Sequence, residues 1–267
     1  MLTNLHTHTN LCDGDNTPDE MVKSAINNGF SSLGFSGHAY TDFDLSYCMK
    51  DTDAYIKEIN RLKEKYKNKI QIYLGLEEDA GYLHDRNKFD YIIGSSHYLT
   101  HNGNFYAYDV SYDGFKEICK LFDNDYIKMA ENHYERFCNY IITRKPDIIG
   151  HFDCITKYDE LDEPVFRNNE KYRKMVENYL NVAIKSECIF EVNTGAISRK
   201  YRTNPYPDEH LLYILKKNNS KLILSSDSHA ADTLDFYFEE TRKILKDIGF
   251  EYVYALYNNE FIKDYFD

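Results

Sequence analysis

Short apolar runs alternate with longer amphipathic segments along the whole chain, a pattern that favours parallel strand–helix–strand units over separate helical and sheet layers. The first apolar run should end as a strand near Leu5. The segment TPDE at residues 17–20 then supplies an N-cap, a proline at the first helical position and the glutamate of a capping box. Apolar side chains at helical spacing follow, and Gly29 is placed to end the helix. The sequence therefore predicts one strand and one helix before Gly29.

The same alternation continues towards the C-terminus and predicts strands at residues 32–35, 70–76, 91–93, 147–150, 189–193, 222–224 and around 252. Helices are predicted around residues 55–62, 112–144, 172–185, after 208 and near 234–246. No segment has the composition of a linker between domains, so residues 1–267 are predicted to form a single domain. Seven or eight strand–helix units indicate an α/β fold, a distorted TIM-like barrel in which the loops after the strands build the active site.

Charge and composition narrow the possible partners. The chain carries 32 basic and 44 acidic residues, and its formal net charge of −12 opposes non-specific binding to nucleic acid. No signal-peptide pattern stands at the N-terminus, and no apolar run reaches the length of about eighteen residues that a membrane span requires. The six cysteines are scattered without a CxxC pair, which favours reduced thiols. We therefore expect a cytoplasmic protein without a nucleic-acid or membrane partner, and the oligomeric state is left open.

Candidate metal ligands follow the predicted strands. His6 and His8 come at the end of the first strand, two residues apart, so both side chains point to the same side and can reach one metal. Two partly exposed histidines in a turn would explain this pair about equally well. Six further residues, however, each follow an apolar strand run: His38, Glu77, His97, His151, Asp227 and His229. Imidazoles and carboxylates together suit Zn, Mn or Fe, and the sequence therefore predicts a site for more than one metal ion.

Four motifs give the chain a resemblance to the polymerase and histidinol phosphatase (PHP) superfamily of metal-dependent phosphoesterases. The motifs are HTHTNLCDG at residues 6–14, GFSGH at 34–38, GLE at 75–77 with GSSH at 94–97, and GHFD at 150–153 with SSDSH at 225–229. Each motif is short, but their combination is specific and spans nearly the whole chain.

The resemblance implies a distorted (β/α)7 barrel with a trinuclear metal site at the C-terminal ends of its strands. The implied ligands fall into three sets, one for each divalent ion: His6, His8, Glu77 and Asp227; Glu77, His97 and His151; and Asp13, His38 and His229. Asp13 stands where some relatives carry histidine, which bears on the occupancy of the third site and on its preferred ion.

The segment NTGAISRKYRTNPYP at residues 193–207 most resembles the stand-alone histidinol-phosphate phosphatases of histidine biosynthesis. For such an enzyme the phosphate of L-histidinol phosphate needs a cationic contact, which Arg199 can provide, with Arg202 and Arg167 as weaker candidates. The expected nucleophile is a hydroxide bridging two cations, and Asp227 or His229 would relay a proton to the leaving group. Acidic or aromatic groups near the metals would bind the ammonium and imidazole of this substrate.

Other functions fit parts of the same pattern. A phosphoesterase of this superfamily could act on another small monoester or a nucleotide. An amidohydrolase also uses an HxH motif after its first strand and a late aspartate, but Glu77 and the pair His38 and His229 are ligands that its pattern does not require. A non-enzymatic metal-binding module that serves a polymerase would accompany further domains, and a nuclease is disfavoured by the net charge of −12.

Overall fold

A computed structural model describes residues 1–266 of the chain as eleven strands and eight α-helices. The strands are β1 (Thr3–Asn4), β2 (Ser32–Phe35), β3 (Gln71–Asp79), β4 (Tyr91–Ser95), β5 (Tyr98–His101), β6 (Asn104–Ala107), β7 (Ile148–Ile149), β8 (Ile189–Asn193), β9 (Leu222–Ser225), β10 (Tyr252–Tyr257) and β11 (Glu260–Tyr265). The helices are α1 (Pro18–Asn27), α2 (Thr52–Tyr66), α3 (Tyr112–Lys120), α4 (Tyr126–Arg144), α5 (Glu170–Ile184), α6 (Gly195–Ser198), α7 (Glu209–Lys217) and α8 (Phe238–Ile248).

The local signals in the sequence act where they were expected. Thr17 caps α1 by accepting a hydrogen bond from the backbone N–H of Glu20, and the Glu20 carboxylate accepts one from the backbone N–H of Thr17 at 2.8 Å. The predicted helical stretch at 112–144 is divided in two, because Asp123 and Asn124 have left-handed backbones with φ of 60° and 59°. Asp125 then caps the second of the two helices, α4.

Seven parallel strands form the barrel, in the order β1, β2, β3, β4, β7, β8, β9. The ring closes just beyond β1 and β9, where Thr7 and Ser228 form a parallel bridge and the His8 N–H donates to the Ser228 carbonyl at 2.8 Å. Two features distort it: β3 and β4 are joined through a short 3-10 helix, Arg86–Lys88, and β10 pairs with β9 where Tyr254 lies opposite Ile223. The predicted distorted (β/α)7 barrel is confirmed.

The alternation of inward and outward side chains along β3 explains why polar groups lie at one end of the barrel. Its outward side chains pack against the helices, namely Ile72, Leu74 and Leu76. Its inward side chains begin with Tyr73 in the apolar filling of the barrel and continue, two residues at a time, to Glu77 and Asp79. The ring of Tyr91 fills the space beside β3, where a Cβ on Gly75 would lie 2.2 Å from it. The part of the barrel around Tyr73 and Tyr91 is therefore filled with side chains. The polar groups lie at the C-terminal ends of the strands.

Two hairpins were not predicted from the sequence. β5 and β6 form a separate two-stranded sheet directly after β4, and Phe105 of this hairpin stacks on Phe43 with ring centroids 4.3 Å apart. β10 and β11 pair in antiparallel register and extend the main sheet beyond β9. The sequence predicted a strand around residue 252 but not β5, β6 or β11, whose alternation of apolar and polar residues is too short to stand out from loop sequence.

None of the helices in residues 1–266 is long and apolar enough to cross a membrane.

Candidate metal centre

The nine predicted ligands converge at the C-terminal end of the barrel. Histidine and carboxylate groups close enough to share an ion form four overlapping groups: His6, His8 and Asp227; His6, Glu77 and His151; His38, Glu77 and His97; and His8, Asp13, His38 and His229. The parallel strands explain this convergence, because residues that follow neighbouring strands meet at the same edge of the sheet.

The Glu77 carboxylate lies at the middle of the centre. Its Oε2 atom is 3.3 Å from Nε2 of His6 and 3.4 Å from Nε2 of His8. Its Oε1 atom is 3.5 Å from Nε2 of His97 and 3.0 Å from Nε2 of His151. Glu77 therefore faces two pairs of histidines, one pair on each oxygen, as a bridging carboxylate would.

The Asp227 carboxylate lies beside the first of these pairs, His6 and His8. Its Oδ1 atom lies 3.6 Å from Nε2 of His6 and 3.2 Å from Nε2 of His8. Its backbone has φ of 48°, a conformation that is uncommon for a residue with a Cβ and is found where tertiary contacts hold a functional side chain in place.

A third group of side chains lies on the open side of the centre. Oδ2 of Asp13 is 3.5 Å from Nε2 of His38 and 3.3 Å from Nε2 of His229. His38 also connects this group to the middle, since its Nδ1 atom lies 2.9 Å from Oε2 of Glu77. The residues of the three implied sets therefore lie together, but the groups in the structure are divided differently: His97 is grouped with His38 and Glu77, and His151 with His6 and Glu77.

The donor atoms fit divalent metal ions. Two atoms that each lie about 2.1 Å from one tetrahedral ion are about 3.4 Å apart, close to the separations between these side chains. Within residues 1–266, His6 Nε2, His8 Nε2, His38 Nδ1 and Glu77 Oε2 are buried and have no hydrogen-bond partner, and buried polar atoms are rarely left unpaired. Bound cations would satisfy these atoms.

The pKa of His6 in the protein without metal also indicates a site for a cation. Burial alone would lower the pKa of the His6 imidazole, but the carboxylates of Glu191 and Glu77 outweigh burial and raise it to about 9. A cation held among these carboxylates would take the place of that proton.

Comparison with known proteins identifies the family. The model of the PHP domain matches residues 4–195. The chain belongs to the PHP domain family. The chain is 25% identical over 252 residues to the probable histidinol-phosphatase of Schizosaccharomyces pombe, an alignment that covers 86% of this chain and 81% of that protein. It is also 25% identical over 258 residues to the histidinol-phosphatase of Bacillus subtilis, covering 88% of this chain and 96% of that protein.

A solved structure shows the same PHP fold. The histidinol phosphate phosphatase of Lactococcus lactis, in complex with zinc, L-histidinol and phosphate, superimposes with a TM-score of 0.72 at 20% identity. The superposition covers 98% of this chain and 99% of the other. The predicted membership of the PHP superfamily is confirmed.

Two carboxylates that sequence reasoning missed contact the candidate ligands. Glu191, on β8, accepts a hydrogen bond from Nδ1 of His6 at 2.6 Å and another from the backbone N–H of His151 at 2.8 Å. Asp79, at the end of β3, lies 3.0 Å from Nδ1 of His97 and accepts from its backbone N–H. Such carboxylates fix the orientation of a ligating imidazole. A charged residue inside an otherwise apolar strand was the available signal for Glu191.

The three candidate arginines differ in their distance from the centre and in the partners that they bind. Arg199 lies beside the centre, where its guanidinium donates to Oδ2 of Asp227 at 2.9 Å and to the Asp227 carbonyl at 3.0 Å. Arg202 has a side chain only 1% exposed, paired with Asp208 and bonded to Thr156 at 2.5 Å.

The third candidate, Arg167, pairs with Glu160 at 2.5 Å. Neither Arg202 nor Arg167 lines the cavity at the centre, because each is held by acidic groups outside it.

A cavity of about 310 Å³ opens onto the centre, and Asp13, His38, His97, Asp227 and His229 form one part of its wall. The rest of the wall contains two basic side chains, three tyrosines and two further acids: Lys157, Arg199, Tyr47, Tyr98, Tyr201, Asp44 and Asp109. Lys157 follows the GHFD motif and was not predicted as a site residue. The cavity therefore combines cationic, aromatic and acidic surfaces around one entrance to the metal ligands.

Proposed function

We propose that this chain is a metal-dependent phosphate monoester hydrolase whose substrate is L-histidinol phosphate. The observation that carries the proposal is the cluster of nine candidate histidine and carboxylate ligands, five of which line a cavity that Arg199 and Lys157 also line. The relatives named as histidinol-phosphatases, and the complex of one with zinc, L-histidinol and phosphate, support it.

Three divalent ions of Zn, Mn or Fe are the proposed cofactors. His6, His8, Glu77 and Asp227 would hold one ion, Glu77, His97 and His151 a second, and Asp13, His38 and His229 the third. When bound, such ions supply a Lewis acid for the phosphate oxygens and a nucleophile at neutral pH.

The side chains around the cavity bind and orient the ester. Arg199 presents a planar fork of N–H donors at the edge of the centre, a geometry that suits a phosphate group better than a point charge does. Lys157 adds a second positive charge on the cavity wall. We assign the transfer of a proton to the leaving oxygen to Asp227 or His229, which both line the cavity.

Replacing Arg199 by alanine should lower kcat/KM for phosphate esters about 100-fold, because one preorganised donor to the developing charge is lost. Arg199→Lys keeps a positive charge beside Asp227 but loses the fork, so we expect an intermediate loss with unchanged metal content. Steady-state kinetics with elemental analysis of each variant will measure both effects.

Arg167→Ala is the matched control for these variants, because it removes an arginine that pairs with Glu160 outside the cavity. Unchanged kcat/KM in Arg199→Ala, or an equal loss in the control, would contradict the assignment of the phosphate contact to Arg199.

The proposed function is tested with protein whose metals have been quantified. We expect two to three metal equivalents per chain, hydrolysis of L-histidinol phosphate and p-nitrophenyl phosphate, and loss of both activities on chelation. Hydrolysis of a cyclic amide such as dihydroorotate without any phosphatase activity would place the chain with the amidohydrolases instead. At most about one equivalent after reconstitution would remove the trinuclear assignment.

A further inference from the structure

One acidic side chain of the cavity lacks a cationic partner. Asp13 faces His38 and His229, Asp227 pairs with Arg199, and Asp109 has Lys157 at 3.5 Å. Asp44 also lines the cavity, and within residues 1–266 it forms no ion pair. A carboxylate in a partly buried wall, with no positive charge beside it, is suited to a cation that arrives with the ligand.

Neutral donors hold Asp44 in place. Its Oδ1 atom accepts hydrogen bonds from the Ser46 N–H at 3.0 Å and the Ser46 hydroxyl at 2.6 Å, and its Oδ2 atom accepts one from the Tyr98 hydroxyl at 3.2 Å. The Asp44 carbonyl is itself fixed by the Thr41 hydroxyl at 2.8 Å. An ionised carboxylate offers about four acceptor positions, so about one remains for a further donor.

Two tyrosine side chains connect Asp44 to the candidate metal ligands. The ring of Tyr47 lies 4.6 Å from that of His38 and 6.0 Å from that of Tyr98, whose hydroxyl reaches Asp44. Contacts thus run from His38 through Tyr47 and Tyr98 to Asp44 on the cavity wall. Aromatic rings attract cations, whereas Arg199 and Lys157 on the cavity wall favour the phosphate.

Two segments outside the barrel build this part of the cavity wall. Asp44 and Tyr47 belong to the loop after β2, and Tyr98 begins the β5–β6 hairpin after β4. The stacking of Phe43 on Phe105 joins the two segments. The barrel therefore supplies the reaction centre, and the added segments supply the surface that meets the alcohol.

We infer that Asp44 is a specificity-determining residue that binds the ammonium group of the leaving alcohol. This inference rests on the proposed function and deepens it: the enzyme selects phosphate monoesters of amino alcohols. The compact ammonium brings the donor and the positive charge that Asp44 lacks, and Ser46 and Tyr98 set the direction of the carboxylate.

The test compares two esters, L-histidinol phosphate and imidazolylpropyl phosphate, which is the same ester without the amino group. Asp44→Asn keeps the shape of the side chain and removes its charge, so the ratio of kcat/KM for the two esters should fall at least tenfold. Tyr98→Phe should lower the ratio less, since the carboxylate stays but loses one donor. Asp42→Asn is the matched control, because it removes the same charge from the same loop at a residue outside the cavity wall, and its ratio should equal that of the wild type.

Thermal melting of each variant checks that the fold is retained. Equal values of kcat/KM for the two esters in the wild-type enzyme, or a ratio that Asp44→Asn leaves unchanged, would overturn the inference and leave the phosphatase function standing. Failure of the metal-loaded wild type to hydrolyse either ester would instead overturn the proposed function, and the role of Asp44 with it.

Discussion

Replacing Glu77 by glutamine should lower kcat/KM for phosphate monoesters on the order of 1000-fold, the equivalent of about 4 kcal/mol of lost transition-state stabilisation by metal ions. The size of the effect follows from the position of the carboxylate. Oε2 faces His6 and His8, and Oε1 faces His97 and His151 at 3.5 and 3.0 Å. Glutamine has nearly the same shape but no negative charge, and its NH2 group would point at imidazole nitrogens that need a metal.

Elemental analysis of Glu77→Gln should therefore show the loss of two metal equivalents together. Glu78→Gln is the matched control, since the neighbouring carboxylate points out of the barrel and binds Arg144 at 2.8 Å and Tyr140 at 2.7 Å. The control should lower the melting temperature and keep its metals. Loss of only one equivalent in Glu77→Gln, with the rest bound as in the wild type, would argue against a bridging role.

Replacing Glu191 by glutamine should weaken metal binding about 10- to 100-fold, the usual effect of removing a residue that orients a metal ligand. Glu191 contacts ligands on both sides of Glu77, because it accepts from Nδ1 of His6 and from the backbone of His151. Glutamine keeps one oxygen acceptor but loses the charge that increases the basicity of the His6 ring. Glu191 is thus a positioning residue, and the variant should lose activity in proportion to its metal content.

Titration of metal-free protein with Zn or Mn measures the affinity directly, and kcat at saturating metal shows how far added ion restores activity. Glu170→Gln serves as the control, because the Glu170 side chain is 82% exposed and pairs with Lys174 on the surface of α5. Wild-type affinity in Glu191→Gln would show that His6 and His151 keep their orientation without this carboxylate.

The sequence was sufficient to predict the barrel and the convergence of eight of the nine candidate ligands, because both depend on local patterns. These eight lie at the ends of apolar runs, and parallel strands bring their C-terminal ends to one edge. Asp13 was implied only by the resemblance to the PHP superfamily. The boundary of β3 was less predictable: the strand continues beyond Glu77 to Asp79, and this extension brings Asp79 to His97.

The supporting residues and the cavity wall depended on tertiary contacts. Glu191, Lys157 and Asp44 lie in different segments, and no spacing in the sequence connects them with the candidate ligands or with the cavity. Arg202 and Arg167 were plausible phosphate contacts from sequence, but Asp208 and Glu160 hold them outside the cavity. The assignment of residues 1–267 to one domain, the cytoplasmic location and the absence of a nucleic-acid partner stay predictions.

The most direct test of the central proposal is kcat/KM for L-histidinol phosphate relative to p-nitrophenyl phosphate, measured on metal-reconstituted wild-type protein. We predict a ratio of at least about ten, which corresponds to about 1.4 kcal/mol of preferential transition-state binding. A ratio at or below one would contradict the assignment of L-histidinol phosphate as the substrate.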